Sequence, residues 1–143
     1  KNKLYYFNSK TIQNKKKKFV KLKLNKNTNK FIIDGSSFKG ETDTDKVIGN
    51  WWNINILSVN SQISPLSGSI KEQVVKLIGR ETIVIDDKSY ETLKYRLKSK
   101  NQNLPEDKKL DFEIWLDTEK GLLVKISYER MGKWEYILNN YRK

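Results

Sequence analysis

The chain has 143 residues, a length typical of one domain, and it contains neither cysteine nor histidine. These absences exclude disulfides, thiolate chemistry, imidazole general bases and the usual zinc ligands, so any catalysis would have to use Asp, Glu, Lys, Tyr, Ser or Thr. The net charge of +12 invites a nucleic-acid interpretation, but only four of the 29 basic residues are arginines, the residue that specific readers of bases and phosphates favour.

The positive charge is unevenly distributed. Residues 1–50 hold 13 lysines and four acidic residues, whereas residues 51–143 hold 16 basic and 13 acidic residues. Three explanations stay open: a biased background composition with a solvated face, binding to nucleic acid, and binding to an anionic membrane or envelope surface.

Alternation of apolar and polar residues predicts antiparallel β-strands, the first at residues 4–12, 19–24 and 30–33. The polar residues 13–18, which include four consecutive lysines, are expected to form an exposed hairpin tip. In the second strand Val20, Leu22 and Leu24 alternate with lysines, so one face is expected in the core and the other in solvent.

Residues 36–69 lose this alternation, and a short helical or irregular segment is predicted near residues 45–60. From residue 70 onward the pattern predicts a meander with strands at 70–78, 82–85, 90–97, 110–116, 122–129 and 134–138. Gly79-Arg80 is expected to join the first two of these strands, and Asp86, Asp87 and Lys88 are expected to form a hairpin tip. The predicted fold is all-β: an antiparallel meander that forms a curved sheet or an open or half β-barrel, in a single domain over residues 1–143.

Residues 111–126 form a predicted hairpin whose even positions are apolar, which assigns them to the core. A pairing of Leu116 with Leu122 predicts an ion pair and an apolar pair on the solvated face. These are Glu113 with Lys125, and Trp115 with Leu123. A three-residue loop at 130–132 would place Tyr128 opposite Trp134.

Asp111 and Glu113 point outward from one strand, about 6.5–7 Å apart, a separation that would suit paired-carboxylate hydrolysis. The favoured interpretation is an ordinary solvated strand face. Asp117 is expected to end the strand and shape the turn. No metal site and no cofactor are predicted.

Two sets of candidate binding residues follow. Aromatic and apolar side chains that could line a groove are the candidates for ligand binding: Trp51, Trp52, Trp115, Leu123 and Tyr128. The lysines near the first hairpin are candidates for the nucleic-acid alternative, together with the N-terminal aromatic residues. These lysines are Lys15, Lys16, Lys17, Lys18, Lys21 and Lys23.

The C-terminal stretch LDFEIWLDTEKGLLVKISYERMGKWEYIL resembles the signature of a family of exported bacterial proteins of unknown function. In that family a strand close to D-L-W-Y-D precedes a G-x-L-V turn and strand, and the domain ends in E-Y-x-L. Here EIWLD, GLLVKI and EYIL occupy those places, and GNWWN resembles an upstream segment. The resemblance implies a periplasmic or otherwise exported location, a half-barrel or barrel, and family strands that precede residue 1.

The leading functional hypothesis is a non-enzymatic exported β domain that binds an apolar small molecule or an envelope protein. The first alternative is a basic β-barrel that binds single-stranded nucleic acid. The second is a hydrolase that depends on Asp111, Glu113 and Asp117. The resemblance implies no reaction, and the ligand, the biological role and the oligomeric state do not follow from the sequence.

Overall fold

The computed structural model describes residues 3–50, 53–129 and 133–138. The chain divides into two compact units, Lys1–Asn50 with Ser61–Lys71, and Trp51–Asn60 with Glu72–Lys143. The structure confirms the all-β prediction, because the described residues form eleven strands and two short 3₁₀ turns. Within the described ranges, no helix has the length and hydropathy that a transmembrane segment needs. The single domain over residues 1–143 stays a prediction.

The first unit contains a four-stranded antiparallel sheet and a short parallel pair of strands. The sheet strands follow in chain order: β1 (Tyr6–Gln13), β2 (Lys16–Asn25), β3 (Lys30–Gly35) and β4 (Lys39–Asp43). The parallel pair is β5 (Val47–Ile48) and β6 (Ser61–Ile63). The sequence analysis missed β4 because the strand has no apolar residue, and only its pairing with β3 shows that it is a strand.

One face of this sheet forms the core of the first unit. The side chains buried there alternate along β2 and β3, as the period-two pattern predicts. They are Val20, Leu22, Leu24, Phe31 and Ile33, and Ile63 of β6 packs with them. The lysines between them on β2 are exposed, so the predicted division of this strand into an apolar and a solvated face is confirmed.

The first hairpin tip is shorter than predicted. β1 continues to Gln13 and β2 begins at Lys16, so only Asn14 and Lys15 turn the chain, with φ of +51° and +63°. Two left-handed residues make the type I′ turn whose twist matches that of the flanking strands. The exposed tip therefore lies within the predicted residues 13–18, but the turn is narrower than predicted, because lysine side chains at a strand end can stay in solvent while the backbone remains paired.

The second unit contains an antiparallel meander, except that Ile70 and Lys71, at the start of its first strand, belong to the first unit. Its strands are β7 (Ile70–Ile85), β8 (Lys88–Ser99), β9 (Asp111–Asp117), β10 (Leu123–Glu129) and β11 (Lys133–Ile137), and each pairs with the next. Their order confirms the meander from residue 70 onward, and the sheet curls into a half-barrel. Asp86 and Asp87 turn the chain between β7 and β8 with positive φ, which confirms that hairpin tip.

β7 is one long strand where the sequence analysis expected two. The register against β8 shifts between Leu77 and Gly79, so Gly79 lies at a bulge and does not reverse the chain. A bulge inserts an extra residue and bends the strand without ending its pairing. The predicted joint at Gly79-Arg80 was therefore wrong.

The irregular segment predicted near residues 45–60 is confirmed as a 3₁₀ turn at Ile54–Ser58. Asn53 caps this turn, since its side-chain oxygen accepts a hydrogen bond from the Asn55 amide at 3.1 Å. The buried side chain of Gln73 on β7 holds the other end: its Nε2 donates to the carbonyls of Ile56 at 2.6 Å and Val59 at 2.9 Å. Trp51 and Trp52 lie outside the described residues.

Candidate functional site

Strands β8, β9 and β10 place three side chains in one row on the outer face of the second sheet. Lys94 of β8 lies opposite Trp115, and Trp115 lies opposite Lys125 of β10. Facing residues of adjacent strands point to the same side of a sheet, so the tryptophan lies between two lysines. The expected pairings of Leu116 with Leu122 and of Trp115 with Leu123 were wrong, because Leu116 pairs with Leu123 and a further register shift between Leu123 and Lys125 moves β10 along β9.

Trp115 is enclosed by its polar neighbours. The Nζ atoms of Lys94 and Lys125 lie 5.0 Å and 4.7 Å from the centroid of its ring, within the range of cation–π attraction. Its Nε1 donates a hydrogen bond to Oε2 of Glu81 at 2.7 Å. Only 4% of the residue remains exposed, so the expected apolar patch on a solvated face is absent here, and the ammonium groups of both lysines lie over the ring.

Ion pairs surround the tryptophan. Three cations contact carboxylates on the same face: Lys94 with Glu113 at 2.8 Å, Arg96 with Asp111 at 3.2 Å, and Lys125 with Glu135 at 3.4 Å. The predicted pair of Glu113 with Lys125 is not formed, because Glu113 lies opposite Ser127 in the observed register. Alternating charges therefore cross four strands of the sheet.

These side chains line an open groove of about 490 Å³. Its lining holds three cations, four carboxylates and few apolar atoms. The lining residues are Glu81, Lys94, Arg96, Asp111, Phe112, Glu113, Trp115, Lys125, Ser127, Tyr128 and Glu135. The volume lies within the usual range of small-molecule sites, about 300–1,000 Å³, although such sites are mostly apolar.

The groove contains some of the predicted site residues. Trp115 and Tyr128 are in its lining, whereas Leu123 is not. The ring of Tyr128 stacks on that of Tyr136, with centroids 6.4 Å apart and an interplanar angle of 17°. The predicted register of Tyr128 opposite Trp134 is confirmed.

The sequence analysis named Lys125 on this face but missed the other two cations of the groove, Lys94 and Arg96. Lys94 and Arg96 alternate with apolar residues on β8, a signal that places both on one face. Period two does not show which residues of β9 and β10 face them, because it does not fix the register between strands, and the register of β10 also shifts at a bulge. Glu81 is also far from Trp115 along the chain, and only the sheet brings the two together.

The three acidic residues of the hydrolase hypothesis form ion pairs or a hydrogen bond in a turn. Asp111 and Glu113 line the groove, but each contacts a different cation. Asp117 is 5% exposed, and its Oδ2 accepts a hydrogen bond from the Lys120 amide at 2.8 Å, which confirms its role in the turn. In the part of the chain that the structure describes, no group of three or more acidic residues could hold a metal ion.

The lysines of the nucleic-acid hypothesis lie in the first unit, on the β1–β2 hairpin. Lys15 is in the turn, and Lys16, Lys17, Lys18, Lys21 and Lys23 are on β2. Lys18 donates to the side-chain oxygen of Gln13 at 2.8 Å. The others are exposed, so the charge expected from the sequence is available to solvent.

No curated protein and no solved structure matches this chain. The family model described as "Domain of unknown function (DUF6134)" matches residues 1–139. The chain therefore belongs to this family.

Proposed function

We propose that this chain is an exported, non-enzymatic binding domain and that the groove around Trp115 is its binding site. The proposed partner is a segment of an envelope protein that carries charges of both signs. The observation that carries the proposal is the groove itself: three cations and four carboxylates alternate from strand to strand on the outer face of the sheet, over a buried tryptophan. A partner with the complementary alternation can exchange these internal ion pairs for intermolecular ones.

The polar lining favours such a partner over the apolar small molecule expected from the sequence. An apolar ligand in the groove would remove charged groups from water without replacing their hydrogen bonds, which is unfavourable. Several apolar side chains on the opposite face of the same strands are already buried. Those exposed by 2% or less include Leu97, Ile114, Val124 and Ile126.

The non-enzymatic part of the proposal is supported by the similar surroundings of the two carboxylates, Asp111 and Glu113. A general acid and a nucleophile need two different environments, one of which keeps a carboxyl group protonated. The side chains of Asp111 and Glu113 have similar environments, since both are about a third exposed and both contact a cation. The chain has no histidine or cysteine that could replace them.

The exported location is supported by the resemblance of the C-terminal strands to exported proteins. Detection of the native protein in separated cell fractions tests it. Recovery with the periplasmic or other envelope fractions is expected, and recovery with the cytoplasm alone would contradict this part of the proposal.

A titration followed by nuclear magnetic resonance tests the binding site. The probes are short peptides in which Lys and Glu alternate, and the comparison is a fatty acid. The peptides are expected to shift the indole N–H resonance of Trp115, with an affinity that falls as salt rises. A fatty acid that binds more tightly than every charged peptide would contradict the proposed partner class, and hydrolysis of a substrate would contradict the non-enzymatic assignment.

A matched pair of variants locates the binding. The double variant Lys125→Gln, Glu135→Gln removes one ion pair of the groove, whose atoms lie 3.4 Å apart. The control Lys39→Gln, Asp34→Asn removes an exposed pair with the same 3.4 Å separation in the first unit. Peptide affinity is expected to fall about tenfold in the first variant, as for the loss of a charge-assisted contact, and to stay unchanged in the control.

The two other hypotheses have less support. Binding of single-stranded nucleic acid would use the lysines of the first unit, whose face carries no arginine. Hydrolysis would require Asp111 or Glu113 to leave its ion pair.

A further inference from the structure

The positive charge of this protein is concentrated at one end of the chain. Residues 1–33 contain eleven lysines and no acidic residue, whereas residues 34–143 contain 18 basic and 17 acidic residues. Almost the entire net charge of +12 therefore comes from the segment that contains β1 and β2. Charge this local creates a field on one surface of the molecule rather than around all of it.

The register of β1 and β2 places four of these lysines on the solvent side of the first sheet. Facing pairs on this side are Tyr6 with Lys23, Asn8 with Lys21, Lys10 with Phe19, and Ile12 with Lys17. We call the outward side chains of these eight residues the basic face. Its opposite side is the core that contains Val20, Leu22 and Leu24, so the strands cannot rotate to hide the lysines.

The lysines of the basic face have no carboxylate within 4.0 Å among the described residues of the chain. The other half of the same sheet differs, since Lys30 contacts Asp43 at 4.0 Å and Lys39 contacts Asp34 at 3.4 Å. Asp34 is also the residue opposite Lys21, but Lys39 already engages it. The sheet thus has a neutralised half on β3 and β4 and a cationic half on β1 and β2.

Exposed apolar side chains stand at both ends of the cationic half. Tyr6 is 61% exposed and Ile12 is 73% exposed, and they are six residue steps apart, which corresponds to about 20 Å of strand. Large apolar side chains beside lysines are typical of surfaces that lie in the headgroup region of a bilayer, where the ammonium groups contact lipid phosphates and the apolar groups reach the acyl boundary.

From this arrangement we propose that the basic face docks the domain on an anionic lipid bilayer. The face complements the phosphate layer in charge, and its pairing up to a tight turn at Asn14 and Lys15 keeps it ordered before it binds. This surface lies in the first unit and the charged groove lies in the second. The proposal therefore goes beyond the binding site around Trp115 and can fail independently of it.

The side chains favour lipid over single-stranded nucleic acid. Binders of single strands stack successive bases on several aromatic rings and often add arginine. On the basic face only Tyr6 is a strongly exposed ring, and no arginine is present. Lysine is a compact point charge that needs no fixed geometry, which suits a fluid layer of headgroups.

Co-sedimentation with vesicles tests the proposal, with vesicles of phosphatidylglycerol and phosphatidylcholine compared with phosphatidylcholine alone. Binding is expected only to the anionic vesicles, and to weaken strongly between about 50 mM and 300 mM salt as the charges are screened. Failure to bind anionic vesicles at the lower salt concentration would overturn the proposal.

Variants at equal net charge show whether the position of the lysines matters. The test variant replaces four exposed lysines of the basic face by glutamine: Lys10, Lys17, Lys21 and Lys23. The control replaces four exposed lysines of the second unit: Lys76, Lys88, Lys100 and Lys108. Vesicle affinity is expected to fall at least about a hundredfold in the test variant and less than about threefold in the control. Equal losses would show that only net charge matters and would overturn the docking face.

Two further measurements test the contribution of the apolar side chains and the alternative of nucleic-acid binding. The double variant Tyr6→Ser, Ile12→Ser is expected to lose about tenfold in vesicle affinity, a loss that persists at high salt because it is apolar. A single-stranded oligonucleotide that binds more tightly than anionic vesicles, with the same dependence on the four lysines, would replace the lipid by nucleic acid. Circular dichroism is expected to show that all variants remain folded, since every substituted side chain is exposed.

Discussion

Trp115 shows how a residue in a solvated row can become part of the folded structure. The ammonium groups of two lysines lie over its ring, and its N–H donates a hydrogen bond to Glu81. We expect Trp115→Ala to lower the free energy of unfolding of its unit by about 3–5 kcal/mol, as for other buried tryptophans. Trp115→Phe keeps a ring but loses the hydrogen bond, and about 1–2 kcal/mol is expected for it. Urea unfolding followed by circular dichroism measures both; a change below 1 kcal/mol for the alanine variant would mean that the ring is solvated.

Replacement of glycine by alanine is expected to have different effects on stability at Gly68 and at Gly79. Gly68 has φ of +77°, and a Cβ there would lie 2.9 Å from Cγ2 of Ile33 and 3.1 Å from Cγ2 of Val20. Gly68→Ala is therefore expected to destabilise the first unit by about 1–3 kcal/mol through backbone strain and crowding. Gly79 has open space around the corresponding position, so Gly79→Ala is the control, with an expected change within about 0.5 kcal/mol. Thermal unfolding distinguishes the two.

At the scale of an element, the β1–β2 turn can be improved. Lys15 has φ of +63°, a conformation that glycine adopts without steric cost. Lys15→Gly turns the tip into Asn-Gly, the preferred type I′ sequence, and is expected to stabilise the first unit by about 0.5–1 kcal/mol. The neighbouring Lys16→Gly lies in the strand and should destabilise it by a similar amount. Stabilisation by both variants would contradict the turn position.

The 3₁₀ turn depends on one side chain of β7. Gln73 is 4% exposed, and its amide donates to two carbonyls of the turn segment. Gln73→Leu is expected to cost about 2–4 kcal/mol, because both carbonyls lose their donor in a buried place. Gln102 also donates to a carbonyl, that of Ser99, but is exposed, and Gln102→Leu should cost under about 1 kcal/mol. Equal costs for the two variants in urea unfolding would show that burial is not the cause.

The sequence predicted the strands well and their alignment poorly. Period-two alternation placed Val20, Leu22 and Leu24 in the core, because burial of one face imposes that period. It missed β4, which has no apolar residue, and the bulges at Gly79 and before Lys125. Bulges depend on the local fit between two strands, which a single strand's pattern does not contain.

At the scale of the whole molecule, the unknown register between strands also limits what the sequence could predict about function. The distribution of lysines along the chain placed the positive charge near the first hairpin, and the absence of histidine and cysteine excluded their chemistry. The charged groove could not be predicted, since it needs Glu81, Lys94 and Lys125 to meet around Trp115 from three different strands. The predicted apolar character of the Trp115 site came from a register error of two residues: Leu116 pairs with Leu123 and not with Leu122, and the bulge before Lys125 adds the second residue. Correcting the register changes the expected partner from apolar to charged.

The central claim is that Trp115 forms the closed floor of a charged groove, between Lys94 and Lys125. Nuclear magnetic resonance of the indole N–H in the unliganded protein tests it most directly. The structure predicts slow exchange of this proton with water, and nuclear Overhauser contacts from the ring to the side-chain methylenes of both lysines. Rapid exchange, with ring contacts to Leu123 instead, would restore the open apolar site expected from the sequence and contradict the groove.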